Sequence, residues 1–301
     1  MRKPHFIDCL RRALPAVPRY PRTLLTLLFA NLVAALVCLA PFWMAFESYS
    51  KRRVVGDGGL LDPHFLVDFL FYRQGSWDLA KGMLPISIGL YALFSVFLSG
   101  GVFSVLFQGR GDHAALFWRD AGRFFPKFVM LLVWSIPLFA LAPLLHGGVL
   151  LALEAIYGPE LPAAVEFYGG WAALALPALG WLLYLRVFDY ARIYMVTTGQ
   201  APASLALYEG VVFVGRRFFS VVGLALSVAV VLALWFWLYA EARGFLPESG
   251  WLLILLQQIW MLGRQAARLW LYDAELRLFR KLRTRAPLKA VGLPPRRRLP
   301  V

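Results

Sequence analysis

The sequence predicts an all-α protein: a polytopic transmembrane helix bundle of six spans, with amphipathic interfacial helices at the cytoplasmic connections. Three observations predict it. Apolar residues make up 60% of the 301 positions and charged ones only 16%, against roughly half and about a quarter in soluble domains. Six runs, at 24–46, 84–107, 128–153, 167–185, 218–240 and 251–270, approach or exceed the ~20 residues that cross a ~30 Å hydrocarbon layer. The net charge of +14 is also unevenly placed. Residues 1–22, 109–127, 186–217 and 264–301 hold 25 of the 31 Lys and Arg but only 7 of the 17 acids. Basic connections of this kind face the cytoplasm, so both chain ends are expected there and residues 47–83 form an extracytoplasmic loop. The positive charge is thereby explained by topology, and nucleic acid is not expected as a partner.

Taken in order, residues 1–22 form a basic arm in which Phe6, Ile7, Leu10 and Leu14 suit one face of a short amphipathic helix. Pro15, Pro18 and Pro21 should break it before the first span. Arg2, Lys3, Arg11 and Arg12 resemble the start of a signal peptide, but the apolar run from Leu24 exceeds a signal core of about 7–15 residues, so a retained helix is expected. Cys9 and Cys38 fall at different depths and should not pair. Span one carries Asn31, Pro41 and an Ala30/Ala34 spacing suited to close helix contact. In the loop, Asp62-Pro63 is a good helix start, with Phe65, Leu66, Phe69 and Leu70 on one face. Span two has Ser95/Ser99, then Gly100-Gly101.

Two cytoplasmic crossings resemble each other. Each has an amphipathic run followed by Arg-Phe-Phe, at 123–125 before span three and at 217–219 before span five. Trp118, Arg119, Arg123, Arg216 and Arg217 are the expected interfacial anchors, aromatics in the boundary and guanidinium groups at phosphate depth. Span three holds Pro137, Pro143, His146 and Gly147-Gly148, which should kink or partly unwind its outer half. Broken helices often line sites, so Pro137, Pro143 and His146 form one candidate site. Spans five and six carry Gly223/Ser227 and Ala225/Ala229, then Gln257 and Gln258. Residues 284–301 form a basic, Pro-rich cytoplasmic tail.

The second candidate site is a level of charge at the cytoplasmic ends of spans four and six. Arg186, Asp189 and Arg192 follow an i, i+3, i+6 spacing and share a helix face; Arg264 and Arg268, at i, i+4, share another. A charge within the bilayer must pair or reach headgroups. These residues therefore make either a pocket for a lipid phosphate or anion, or a salt-bridge belt that fixes helix order. Enzyme signatures are missing: the four histidines lie in separate zones, and no HExxH, GxSxG, P-loop or CxxC pattern occurs. No metal, cofactor or catalytic residue is expected.

The segments FLSGGVFSVLF, RDAGRFFPKF and DYARIYMV with ALYEGVVFVGRRFF, within residues 95–225, resemble a bacterial group. These are the six-helix membrane domains found beside some glycerophosphodiester phosphodiesterases and their free-standing, uncharacterised relatives. The resemblance implies a bacterial cytoplasmic-membrane location and transfers no activity onto named residues. The expected function is a non-enzymatic membrane scaffold or accessory subunit that binds anionic lipid, a partner membrane complex or a second copy. A permease for a small anionic or lipidic solute is the alternative, and an intramembrane lipid-modifying enzyme the third.

Overall fold

The computed structural model describes residues 5–50, 74–109, 111–158, 162–199, 201–245 and 251–283, except the side chains of residues 5, 41–50 and 74–81. The helix expected after Asp62-Pro63 and the tail at 284–301 lie outside these. The described chain is helical, without strands. In order, the helices are α1 (His5–Ala13), α2 (Ala16–Arg19), α3 (Pro21–Ser50), α4 (Gln74–Gln108), α5 (Ala114–Trp134), α6 (Ile136–Phe139), α7 (Leu141–Tyr157), α8 (Ala163–Thr198), α9 (Ala203–Arg216), α10 (Phe218–Gly244) and α11 (Trp251–Arg283).

Among the described residues, five segments are long and apolar enough to cross a membrane: Pro21–Ala40, Gly82–Gln108, Ile136–Tyr157, Ala163–Thr198 and Phe218–Gly244. Helix α11, though 33 residues long, is not among them. Gln257, Gln258, Arg264, Gln265 and Arg268 dilute its apolar run.

Burial is concentrated at the basic end of the bundle. There Phe103, Phe117, Phe128, Leu131, Tyr190, Ile193, Leu224, Leu269 and Leu278 form one core. Towards the opposite end, large apolar side chains stand exposed, among them Leu151 and Ile156 of α7, Tyr168 and Trp171 of α8, Trp237 of α10 and Leu255 of α11.

Glycines let the helices of this core approach closely. A Cβ at Gly101 would lie 2.8 Å from both the ring and the carbonyl oxygen of Phe117, so α4 and α5 touch backbone to backbone. Gly210 of α9 does the same against α8, where a Cβ would sit 2.7 Å from the Val187 carbonyl oxygen. Without a side chain in the way, dispersion contacts extend along both pairs. The turn between α4 and α5 also anchors α3: the Thr23 amide donates to Asp112 Oδ1 at 2.9 Å and its hydroxyl at 2.6 Å. That carboxylate satisfies donors which the first turn of a helix leaves unpaired.

Three expectations are corrected here. The amphipathic run before the first Arg-Phe-Phe is not a separate surface helix, because α5 passes through residues 123–125 unbroken. The second crossing does break, at Arg217 between α9 and α10. The interruptions of span three fall at Ser135 and Ala140, each holding αR backbone angles; Pro137 and Pro143 sit in the opening turns of α6 and α7, where proline fits without breaking a bond. Gly147-Gly148 lies in regular helix. In the arm, the buried positions of α1 are Cys9, Leu10 and Ala13, whereas Ile7 and Leu14 are exposed. That face docks onto α11 and α10: the Trp270 indole N–H donates to the Leu10 carbonyl at 2.8 Å, and Gly223 leaves room for the Phe6 ring. The helix is thus part of the body.

Two glycine substitutions should have opposite signs. Gly101→Ala forces α4 away from Phe117 and should destabilise by about 1–3 kcal/mol. Gly122→Ala, on α5 with open space around it, should stabilise slightly by removing helix-interior glycine entropy. Thermal unfolding of the two variants in the same detergent checks both.

Candidate functional site

The charged level at the end of α8 is a buried ion-pair network. Helical spacing brings Arg186 and Arg192 to either side of Asp189: Arg186 Nη2 lies 3.1 Å from Asp189 Oδ2, and Arg192 Nη1 3.4 Å from Asp189 Oδ1. Arg186 Nη1 also donates to Glu275 Oε1 of α11. The Arg192 guanidinium lies over the Phe188 ring, 4.0 Å from its centroid, a cation–π contact strengthened by desolvation. All four charged residues are buried, Glu275 completely.

Two guanidinium groups meet two carboxylates, so their formal charges cancel. Glu275 lies past Trp270, beyond the expected sixth span. The second oxygen of Glu275 and the buried Tyr190 hydroxyl have no hydrogen-bond partner among the described residues. The arrangement clamps α8 to α11. Sequence spacing identified three of its members and missed Glu275, whose partner lies 89 positions away. The signal for it was an acid inside the continuing helical pattern of α11.

The expected level does not form a single cluster. Arg268 leaves it for α4: Nε donates to the Tyr272 hydroxyl at 2.9 Å and Nη2 to the Ser95 hydroxyl at 2.9 Å. Arg264 stands elsewhere again, its guanidinium 5.8 Å from the Trp260 ring centroid. It lines an open groove of about 500 Å³ between α3, α4 and α11, together with Asn31, Cys38, Ser87 and Tyr91. Neither Arg264 nor Arg268 has a carboxylate within ion-pair distance among the described residues.

The expected anchors lie at the basic end. Trp118 is 45% exposed and packs edge-on against Phe117 with a centroid distance of 5.3 Å. Arg119 pairs with Asp120 at 3.0 Å, and that buried acid also accepts from Ser104 and from Gln108, the latter at 2.8 Å. Arg123 lies over the Phe124 ring, 5.6 Å from its centroid. Arg216 and Arg217 are exposed at the α9–α10 junction.

At the expected kink, His146 Nδ1 lies 2.7 Å from the Ala173 carbonyl oxygen. The ring ties α7 to α8, and the prolines of span three open helices rather than freeing carbonyls for a ligand. Comparisons of the chain with protein-family models, curated proteins and solved structures find no match.

The network makes a stability prediction. Glu275→Ala leaves Arg186 buried with half its partners and should cost about 3–5 kcal/mol, whereas removing both charges in Arg186→Met/Glu275→Met should cost much less. Asp189→Asn should likewise lower the yield of folded protein. The measurement is the monodisperse fraction after detergent extraction, followed by thermal unfolding. A double variant as damaged as Glu275→Ala would refute the clamp.

Proposed function

We propose that the chain is a non-enzymatic integral membrane protein of a bacterial cytoplasmic membrane. It has six spans, with α11 as the sixth, and both ends on the cytoplasmic side. It acts as a scaffold or accessory subunit whose basic face engages anionic lipid or a partner in the membrane. The resemblance to membrane domains beside glycerophosphodiester phosphodiesterases supports the location.

One observation carries this reading: the clearest charge network at the basic end faces inward, while arginines at its rim face outward. Asp189 and Glu275 are consumed by buried pairs. Arg216 and Arg217 remain exposed, beside Phe219, which is 87% exposed. An aromatic next to uncompensated guanidinium groups suits the boundary between acyl chains and lipid phosphates. The exposed apolar side chains of the opposite half suit contact with lipid tails. Transport through the expected sites is disfavoured, since Arg186 is sealed by two carboxylates and His146 is bonded to Ala173.

A chain purified into a mixture of equal parts phosphatidylglycerol and phosphatidylcholine should retain the anionic lipid preferentially. The preference should weaken in Arg216→Gln/Arg217→Gln and with rising salt, because exposed charges are screened over ~8–10 Å at ~0.1–0.15 M. Mass spectrometry of the retained lipids checks this, and equal retention of both lipids by the wild type would refute the reading.

A further inference from the structure

We propose that the groove between α3, α4 and α11 is a binding site for an anionic amphiphile, with Arg264 as the ligand to its oxyanion headgroup. This rests on the reading above that the chain is embedded in a membrane and prefers anionic lipid, and it assigns a defined site to one such molecule.

Arg264 differs from the other arginines of its level. Arg186 and Arg192 share Asp189, and Arg268 is held by Tyr272 and Ser95. Arg264 has a single aromatic neighbour, the Trp260 ring. None of the five N–H donors of its guanidinium has an acceptor among the described residues. Counted along α11 from Trp251, it lies roughly 20 Å into the helix at ~1.5 Å per residue, inside the apolar layer of the proposed bundle. A cation there without a partner is costly. The described residues supply no such partner, and the proposed ligand takes that place.

The groove excludes most internal candidates for that role. Asn31 Oδ1 accepts from the Tyr91 hydroxyl at 2.8 Å, and Asn31 Nδ2 donates to the Leu27 carbonyl at 2.7 Å. The Cys38 thiol lies 3.5 Å from the Ser87 carbonyl oxygen. These polar groups bind α3 to α4 and to one another, so the wall is set before a ligand arrives. Arg268, one turn along α11 and also without a carboxylate, adds to the positive potential.

About 500 Å³ of space is available, within the range of small-molecule sites, and the remaining lining is aliphatic. One cation set in an apolar wall fits a phosphate or carboxylate head carrying a hydrocarbon chain. A guanidinium can hold either oxyanion through two parallel hydrogen bonds. The guanidinium of Arg186, by contrast, already has two carboxylates beside it.

The chain carries its own reporter. Cys38 lines the groove, whereas Cys9 is buried on the docked face of α1, so a full-length Cys9→Ser protein presents one accessible thiol. In detergent, phosphatidylglycerol should slow alkylation of Cys38 by N-ethylmaleimide, and phosphatidylcholine at the same concentration should not. Arg264→Gln should weaken that protection by about tenfold or more in lipid concentration, a loss on the scale of one charge-assisted contact. Its fold should survive, because the side chain joins no ion pair. Ile88→Trp, which fills the groove without touching the cation, should abolish protection independently.

Undiminished protection in Arg264→Gln, or in Ile88→Trp, would overturn the assignment. Equal protection by inorganic phosphate alone would also overturn it, because the site would then recognise a free anion. Failure of the broader reading is distinguishable. A wild-type chain that retains phosphatidylglycerol and phosphatidylcholine equally refutes both, whereas one that prefers phosphatidylglycerol but leaves Cys38 unprotected refutes only the groove.

Discussion

The contact on which the basic end depends is the pairing of Arg186 with Glu275 and Asp189 where α8 crosses α11. A buried guanidinium is expensive to dehydrate, and its neutralisation requires two helices far apart in sequence to meet at one depth and rotation. Apolar packing alone would tolerate sliding α8 along α11, since one aliphatic surface is much like the next. The network does not tolerate it: a one-residue displacement draws Glu275 away from Arg186, the ion pair that crosses from α8 to α11. Its contribution is therefore to register more than to net stability, in the way buried polar residues fix helix alignment in coiled coils.

Once α8 and α11 are in register, the rest of the inner core has a frame. The α8–α9 pair closes on Gly210, α4–α5 on Gly101, and α1 lays its buried face across α10 and α11. Turn and terminal contacts add polar closure: Asp112 receives the start of α3, and Lys127 Nζ donates to the Gly199 carbonyl at 2.8 Å, where α8 ends in a left-handed residue with φ +78°. The opposite half has sparser anchors of this kind, such as His146 with Ala173 and the Trp235 indole with the Trp260 carbonyl. A bundle tied tightly at one end and loosely at the other leaves lateral grooves between its helices, and the α3–α4–α11 groove is one of them.

Much of this was legible in the residues. The helical class followed from long apolar runs, and the Arg186-Asp189-Arg192 ladder followed from spacing alone, because partners on one helix are set by its geometry. Partners on different helices are not: Glu275 and the separate destinations of Arg264 and Arg268 depend on how α11 is rotated against α4 and α8. The break in span three was also hidden. Pro137 and Pro143 marked the neighbourhood, but proline is accepted in the first turn of a helix, so the interruptions moved to the residues before each segment. Arg-Phe-Phe occurs twice with different outcomes, continuous helix in α5 and a break at Arg217, so a local motif did not decide it. On α1, Leu10 of the expected stripe is buried but Ile7 and Leu14 are not; contact of the helix with Gly223 and Trp270 turned Cys9, Leu10 and Ala13 inward.

The arginines of α8 and α11 are chemically identical and nearly level, yet their environments separate them by what their acids do. Every guanidinium at this depth needs a counter-charge, and the described chain places carboxylates beside Arg186 and Arg192 but none beside Arg264 or Arg268. Arg268 offsets part of that deficit with two hydroxyl partners, which solvate a cation without neutralising it. Arg264 lacks even these and instead faces an open groove. If the only task of this level were to order the helices, one further acid on α3 or α4 would close the circuit as Glu275 does for α8. Leaving the charge open at a lateral opening, against a wall whose other polar groups are already bonded, is the arrangement suited to an anion that arrives through the membrane.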